Sequence, residues 1–142
     1  MSRTTILTLI TATAWVAIIA IAYATLTKVG FVYAIYFKLA PYLMHPKIQT
    51  YAHIVHMIAF ALLGALFMLA YPRRVILVCC VVFGAAGLLE IAQTLTPDRH
   101  GTMIDAVEKM VGGAIGILLA RKIQHLRRKD EPAQTKSTIG LL

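Results

Sequence analysis

The sequence predicts an all-α integral membrane protein: a bundle of four transmembrane helices, with an interfacial aromatic segment between the first and the second. Hydrophobic residues make up 59% of the 142 residues, and the mean hydropathy is +0.76. These values are typical of membrane proteins and exclude a water-soluble domain. The apolar residues also form four runs, and a run of about 20 residues crosses a hydrocarbon core of ~30 Å as a helix.

The first run, residues 6–26, contains no charged residue. At ~1.5 Å per residue it matches the thickness of the hydrocarbon core. A cleavable signal peptide is the alternative, because Arg3 precedes the run and Ala22-Tyr23-Ala24 resembles a cleavage site. The apolar core of a signal peptide has only ~7 to 15 residues, so we expect this helix to remain in the mature protein.

Residues 28–49 mix aromatic and basic side chains and are interrupted by Pro41 and Pro46. Amphipathic aromatic side chains favour the headgroup region, so the segment is predicted to lie along the membrane surface. A re-entrant or short spanning segment is the alternative, and it would change the topology given below.

Three further runs predict helices over residues 53–71, 75–95 and 102–121. Pro72 ends the first of these helices, and Arg73 and Arg74 form a short link to the next. Residues 1–129 are thus predicted to form one transmembrane domain. Residues 130–142 are rich in polar residues and predict a disordered cytoplasmic tail.

The basic residues predict the orientation. With four spans and a cytoplasmic N-terminus, nine Lys and Arg residues lie on the cytoplasmic side and four on the other. The positive-inside rule then predicts a multi-pass protein of the bacterial cytoplasmic (inner) membrane with both termini in the cytoplasm. The net charge of +8 is therefore a topology signal, and no nucleic-acid partner is expected.

Polar residues gather where the third and fourth helices meet. Four of the six Asp and Glu residues fall between Glu90 and Glu108, and ionisable groups at membrane depth are costly unless they are paired or functional. Counting along the helices places His56, Glu90 and Asp105 at one level, ~24 Å from the cytoplasmic ends. We therefore expect a shallow polar pocket that opens outwards.

This placement gives the candidate site residues. The candidate catalytic residues are Glu90, His56 and Asp105, and the candidate ligand-binding residues are Arg99, Gln93, His100, His53 and Lys109. Arg99 and His100 could hold an anionic headgroup or phosphate while Glu90 or Asp105 acts on it. The alternative is a structural network in which Arg99 lies between the two carboxylates and seals the bundle.

Two glycines, Gly112 and Gly116, follow Asp105 on one face of the fourth helix and predict close helix packing. His53 and His56 could hold a metal with Glu90. No HExxH motif or cysteine partner accompanies them, so neither a metal nor another cofactor is predicted.

The order of these residues carries a resemblance. The stretches are HMIAFALLG from His56, EIAQ from Glu90, PDR from Pro97, and Asp105 followed by Gly112 and Gly116. In order and spacing they resemble the VanZ-like membrane proteins, a family named after a teicoplanin-resistance protein. The resemblance implies a protein of the cell envelope that binds or modifies an anionic lipid-linked component and influences glycopeptide susceptibility.

The chain departs from the family pattern at two places. Ala52 and His53 stand where the family usually has Asp-Lys, and Lys109 stands where an asparagine is usual. A family site that uses those groups would be altered here.

Two functions remain open on the sequence. One is a lipid-binding or lipid-modifying protein, whose partner is a membrane lipid or a lipid-linked envelope precursor. The other is a non-catalytic accessory or assembly protein, whose partners are other membrane proteins. Whether a reaction is catalysed does not follow from the sequence.

Overall fold

A computed structural model describes residues 2–27, 38, 48–95 and 102–139. The regular structure in this part of the chain is helical. The helices are α1 (Arg3–Leu26), α2 (Ile48–Ala70), α3 (Val75–Thr94) and α4 (Met103–Ile139). The prediction of an all-helical protein with four helices is confirmed.

Within the described ranges, three segments are long and apolar enough to cross a membrane: Thr4–Leu26, His53–Ala70 and Val75–Thr94. These helices identify a membrane protein. The fourth predicted span is not confirmed, because α4 carries Asp105, Glu108 and Lys109 near its start and Arg121 after residue 120. The longest uncharged run of α4 is residues 110–120, and as a helix it measures about 16 Å.

Two further predictions concern the segment between the first two helices and the C-terminal tail. The predicted surface segment 28–49 falls mostly outside the described residues. At the other end, α4 continues to Ile139, where the sequence predicted a helix to residue 121 and disorder from 130. Residues 121–129 include three Arg, two Lys and one Gln, which lose little conformational freedom in a helix and so favour its continuation past residue 121.

The interior of the bundle is apolar and draws on all four helices. Its buried residues include Ala14 of α1, Phe60, Leu63, Phe67 and Met68 of α2, Val78, Val82 and Ala86 of α3, and Ile117 and Ala120 of α4. Large apolar side chains also cover the outside, where Ile76 is 82% exposed and Leu88 68% exposed. Such a surface would be a liability in water, whereas in a bilayer it faces acyl chains.

The most extensive helix contact is between α2 and α4, and glycines make it close. A β-carbon on Gly112 would overlap the carbonyl oxygen of Met57, and one on Gly116 would overlap that of Ala61. The two glycines are one turn apart, as are the two residues that they face. Backbone therefore lies directly on backbone along this contact, as expected for small residues in membrane helices.

Helix α1 is held against α2 by aromatic side chains. The Nε1 group of Trp15 donates a hydrogen bond to the hydroxyl of Tyr71 at 3.1 Å. The Trp15 ring also packs edge-on against Phe67, with ring centroids 5.3 Å apart. These contacts place α1 beside the α2–α4 pair.

The glycine contact yields a stability prediction with a control inside the same protein. We expect Gly112→Ala and Gly116→Ala to lower the free energy of unfolding in detergent by about 1 to 3 kcal/mol each, because the new methyl group has no space. Gly84→Ala is the matched control, since a β-carbon there meets nothing within 4 Å. Thermal unfolding of the three variants measures the difference, and equal melting temperatures would show that α2 and α4 do not pack as described.

Candidate functional site

Polar groups from all four helices meet at one end of the bundle, which we call the cluster end. Here α1 and α3 end and α2 and α4 begin. The polar groups fall into two sets. The buried network consists of Thr25, Glu90, Gln93 and Lys109, and the rim group consists of His53, Asp105 and Glu108.

The buried network is built on an ion pair between α3 and α4. The ammonium group of Lys109 donates a hydrogen bond to Oε2 of Glu90 and another to Oε1 of Gln93 at 3.3 Å. Gln93 in turn donates from Nε2 to the backbone oxygen of Thr25 at 3.3 Å. Lys109 is 0% exposed and Glu90 is 6% exposed. The network thus joins the ends of α1 and α3 to α4 within the bundle.

The second carboxylate oxygen of Glu90 accepts a hydrogen bond from the start of α4. The backbone N–H of Thr102 donates to Oε1 of Glu90 at 2.6 Å. Both oxygens of this buried carboxylate therefore have donors, one charged and one from the backbone. Since an unpaired buried charge costs several kcal/mol, this double partnership makes a carboxylate tolerable at this depth.

Thr102 also caps α4 and orients Asp105. The backbone N–H of Asp105 donates to the hydroxyl oxygen of Thr102 at 3.1 Å, which is ordinary helix N-capping. The same hydroxyl donates to Oδ2 of Asp105 at 2.9 Å. This contact fixes the carboxylate in the first helical turn, where negative charge is favourable, and leaves Oδ1 for the rim group.

The rim group joins α2 to α4. Nδ1 of His53 lies 2.7 Å from Oε2 of Glu108 and 3.0 Å from Oδ1 of Asp105. The side chains of His53, Asp105 and Glu108 are 39%, 17% and 25% exposed. Unlike the buried network, the rim group can be reached from outside the bundle.

His56 lies one turn further along α2. Its Nδ1 atom is buried and has no hydrogen-bond partner among the described residues. A hydrogen bond from His56 to Glu90 would be reasonable from the sequence, but Glu90 is taken by Lys109 and Thr102. His56 is three residues from His53, so the two side chains leave α2 on the same face.

The candidate residues thus have different outcomes. Those that the structure brings together at the cluster end are His53, His56, Glu90, Gln93, Asp105 and Lys109. Lys109, expected to contact a ligand, is fully buried, and this favours a structural role. Arg99 and His100 lie outside the described residues. The predicted position of Arg99 between the two carboxylates therefore stays a prediction.

Three participants were not among the candidate site residues predicted from the sequence. Glu108 belongs to the charged stripe of α4, three residues after Asp105, and its position was a usable signal. Thr102 precedes Asp105 by three residues in a capping pattern, which was also readable. Thr25 contributes only its backbone oxygen to the buried network, and side-chain patterns in a sequence do not predict contacts of the backbone.

Comparison with known proteins gives a family. Neither the curated proteins nor the solved structures contain a match. The model of the VanZ/LLP1 family matches residues 5–125, a range that includes every member of the buried network and of the rim group. The match confirms the resemblance read from the sequence, and the chain belongs to the VanZ/LLP1 family.

Proposed function

We propose that the protein acts in the cell envelope from the bacterial cytoplasmic membrane, with the cluster end facing outwards, and that it binds or modifies an anionic lipid-linked envelope component there. An influence on glycopeptide susceptibility belongs to the same proposal. The observation that supports it most directly is that the polar residues at the cluster end divide into the buried network and the rim group. A buried, fully paired network supports an exposed rim of titratable groups, and exposed ionisable groups at the edge of a membrane bundle are candidates for ligand contact.

The chemistry of the rim suits one part of such a ligand. Carboxylates accept hydrogen bonds from hydroxyl and amine groups, so Asp105 and Glu108 match a sugar-bearing headgroup. Its phosphate groups need cationic partners, and an arginine such as Arg99 has the planar guanidinium that suits bidentate contacts to phosphate. Arg99 and His100 belong to the six residues of the chain between Leu95 and Thr102, and both of these flanking residues lie at the cluster end.

The surface beside the rim suits the lipid part. Met103, Ile104 and Val107 of α4 are 83%, 66% and 56% exposed, and they alternate in sequence with Asp105 and Glu108. A lipid whose headgroup lies on the rim would therefore keep its acyl chain against an apolar helix face. This arrangement supports a lipid-linked ligand over a free polar solute.

A second candidate function is a non-catalytic accessory or assembly protein. The buried network favours it, because both oxygens of Glu90 and the ammonium of Lys109 are engaged within the protein. Glu90 is for this reason a poor general acid or base. We assign the structural role to the buried network, and we assign ligand contact, and any acid–base step, to the rim group.

The orientation is tested with an export-dependent reporter enzyme. The reporter fused after His100 is expected to be active, because the proposed topology places the cluster end outside the cytoplasm. The same reporter fused after Leu142 is expected to be inactive. The reverse pattern would place the rim in the cytoplasm and exclude an extracytoplasmic ligand.

Ligand contact is tested by measuring the lipid that copurifies with the protein. We expect Glu108→Gln and Arg99→Lys to melt within a few degrees of the wild type and to lose most of the bound lipid, since each keeps the size of the side chain but removes a charge or the guanidinium fork. Arg73→Lys is the matched control, because Arg73 is exposed in the turn at the opposite end. Lipid mass spectrometry after gentle purification gives the readout.

The accessory function predicts the opposite result. If the rim is purely structural, Glu108→Gln and Arg99→Lys will retain the same lipids in the same amounts as Arg73→Lys. That outcome would contradict the lipid-binding proposal, whatever the melting temperatures are.

A further inference from the structure

We infer that His53, Asp105 and Glu108 form a binding site for one divalent transition-metal ion, of the kind represented by zinc. The inference goes beyond the proposed lipid contact and does not depend on it. The sequence pointed to a metal only through His53 and His56 with Glu90, and the structure engages Glu90 elsewhere.

The first support is the geometry of the donors. One ring nitrogen and two carboxylate oxygens lie within 4.8 Å of one another, and the ring nitrogen is 2.7 Å and 3.0 Å from the two oxygens. Ligand atoms about 2.1 Å from a tetrahedral zinc ion are about 3.4 Å apart. To hold the ion, the ring nitrogen would therefore move away from the two oxygens by about 0.7 Å and about 0.4 Å.

The second support is the unbalanced charge of the rim. An imidazole Nδ1 atom carries at most one hydrogen, so His53 can donate fully to only one of the two carboxylate oxygens that approach it. Lys109, the cation next to them in sequence, is engaged with Glu90 and Gln93. Among the described residues, Oδ1 of Asp105 and Oε2 of Glu108 thus converge on a single ring nitrogen. A divalent cation between them would compensate both charges, as metal ions do when they are the largest local charge in a site.

The third support is His56, which is not one of the three proposed ligands. The Nδ1 atom of His56 is buried and lacks a partner among the described residues, one helical turn from His53. A buried ring nitrogen without a partner is costly. A metal ion, or a water molecule bound to one, would supply that partner.

The mixture of donors selects the class of metal. Calcium and magnesium prefer sites built entirely of oxygen atoms, whereas an imidazole nitrogen with carboxylates suits zinc and its neighbours. Three protein ligands leave the fourth position of zinc open, and the partial exposure of His53 and Glu108 keeps that position accessible. A metal held there would turn an acidic rim into one that can accept an anionic group.

The test is a zinc titration of the full-length protein, purified in detergent without a histidine tag and stripped with a chelator. We expect saturable binding of one zinc ion per chain, measured by equilibrium dialysis and elemental analysis. His53→Ala and Glu108→Gln should each weaken the binding at least tenfold. His125→Ala is the matched control, because His125 is an exposed histidine on α4, about 25 Å from Glu108 along the helix axis, and it should bind as the wild type does.

Thermal unfolding supplies a readout that does not depend on how well the variants are purified. Zinc should raise the melting temperature of the wild type and of His125→Ala, since a ligand of the folded state stabilises it, and should leave that of Glu108→Gln unchanged. Either of two results overturns the inference: no saturable zinc in the wild-type protein, or equal zinc binding by the wild type, His53→Ala and Glu108→Gln.

Discussion

The arrangement of the cluster end depends on the ion pair between Glu90 and Lys109. These two side chains are almost completely buried, and in an apolar bundle neither charge would be tolerated without the other. Their partners extend the pair into a network. Thr102 fastens the start of α4 to the end of α3, and Gln93 carries the connection to the end of α1. One buried pair thus fixes where three helices end or begin, and it determines the position of the rim.

The two departures from the family pattern noted in the sequence lie in different polar groups: Lys109 is in the buried network, and His53 is in the rim group. Lys109, in place of the usual asparagine, brings the cation into the buried network. His53, in place of the usual lysine, puts an imidazole opposite Asp105 and Glu108. A positive charge is therefore present in the interior, and the described part of the rim has an imidazole ring beside two carboxylates.

Much of this architecture could be predicted from the sequence, since apolar run length and helical spacing reveal which residues share a helix and a level. The ion pair between Glu90 and Lys109 could not be predicted, because counting residues gives the level of a Cα atom but not the direction of a long side chain. By that count Lys109 lies about one turn below Glu90, and its side chain still reaches the carboxylate. The fourth span is not confirmed, because the apolar run of α4 is bounded by Lys109 and Arg121. Arg99 and His100, central to the predicted ligand site, lie outside the described residues.

The most direct test of this account is a double-mutant cycle on the buried pair. The free energy of unfolding in detergent would be measured for the wild type, Glu90→Gln, Lys109→Met and the double variant. We predict that each single change costs about 3 to 5 kcal/mol, because it leaves a buried charge alone, and that the double variant loses clearly less than the sum of the two. Additivity within about 0.5 kcal/mol would show that the two side chains do not interact, and it would contradict the central role given to the pair.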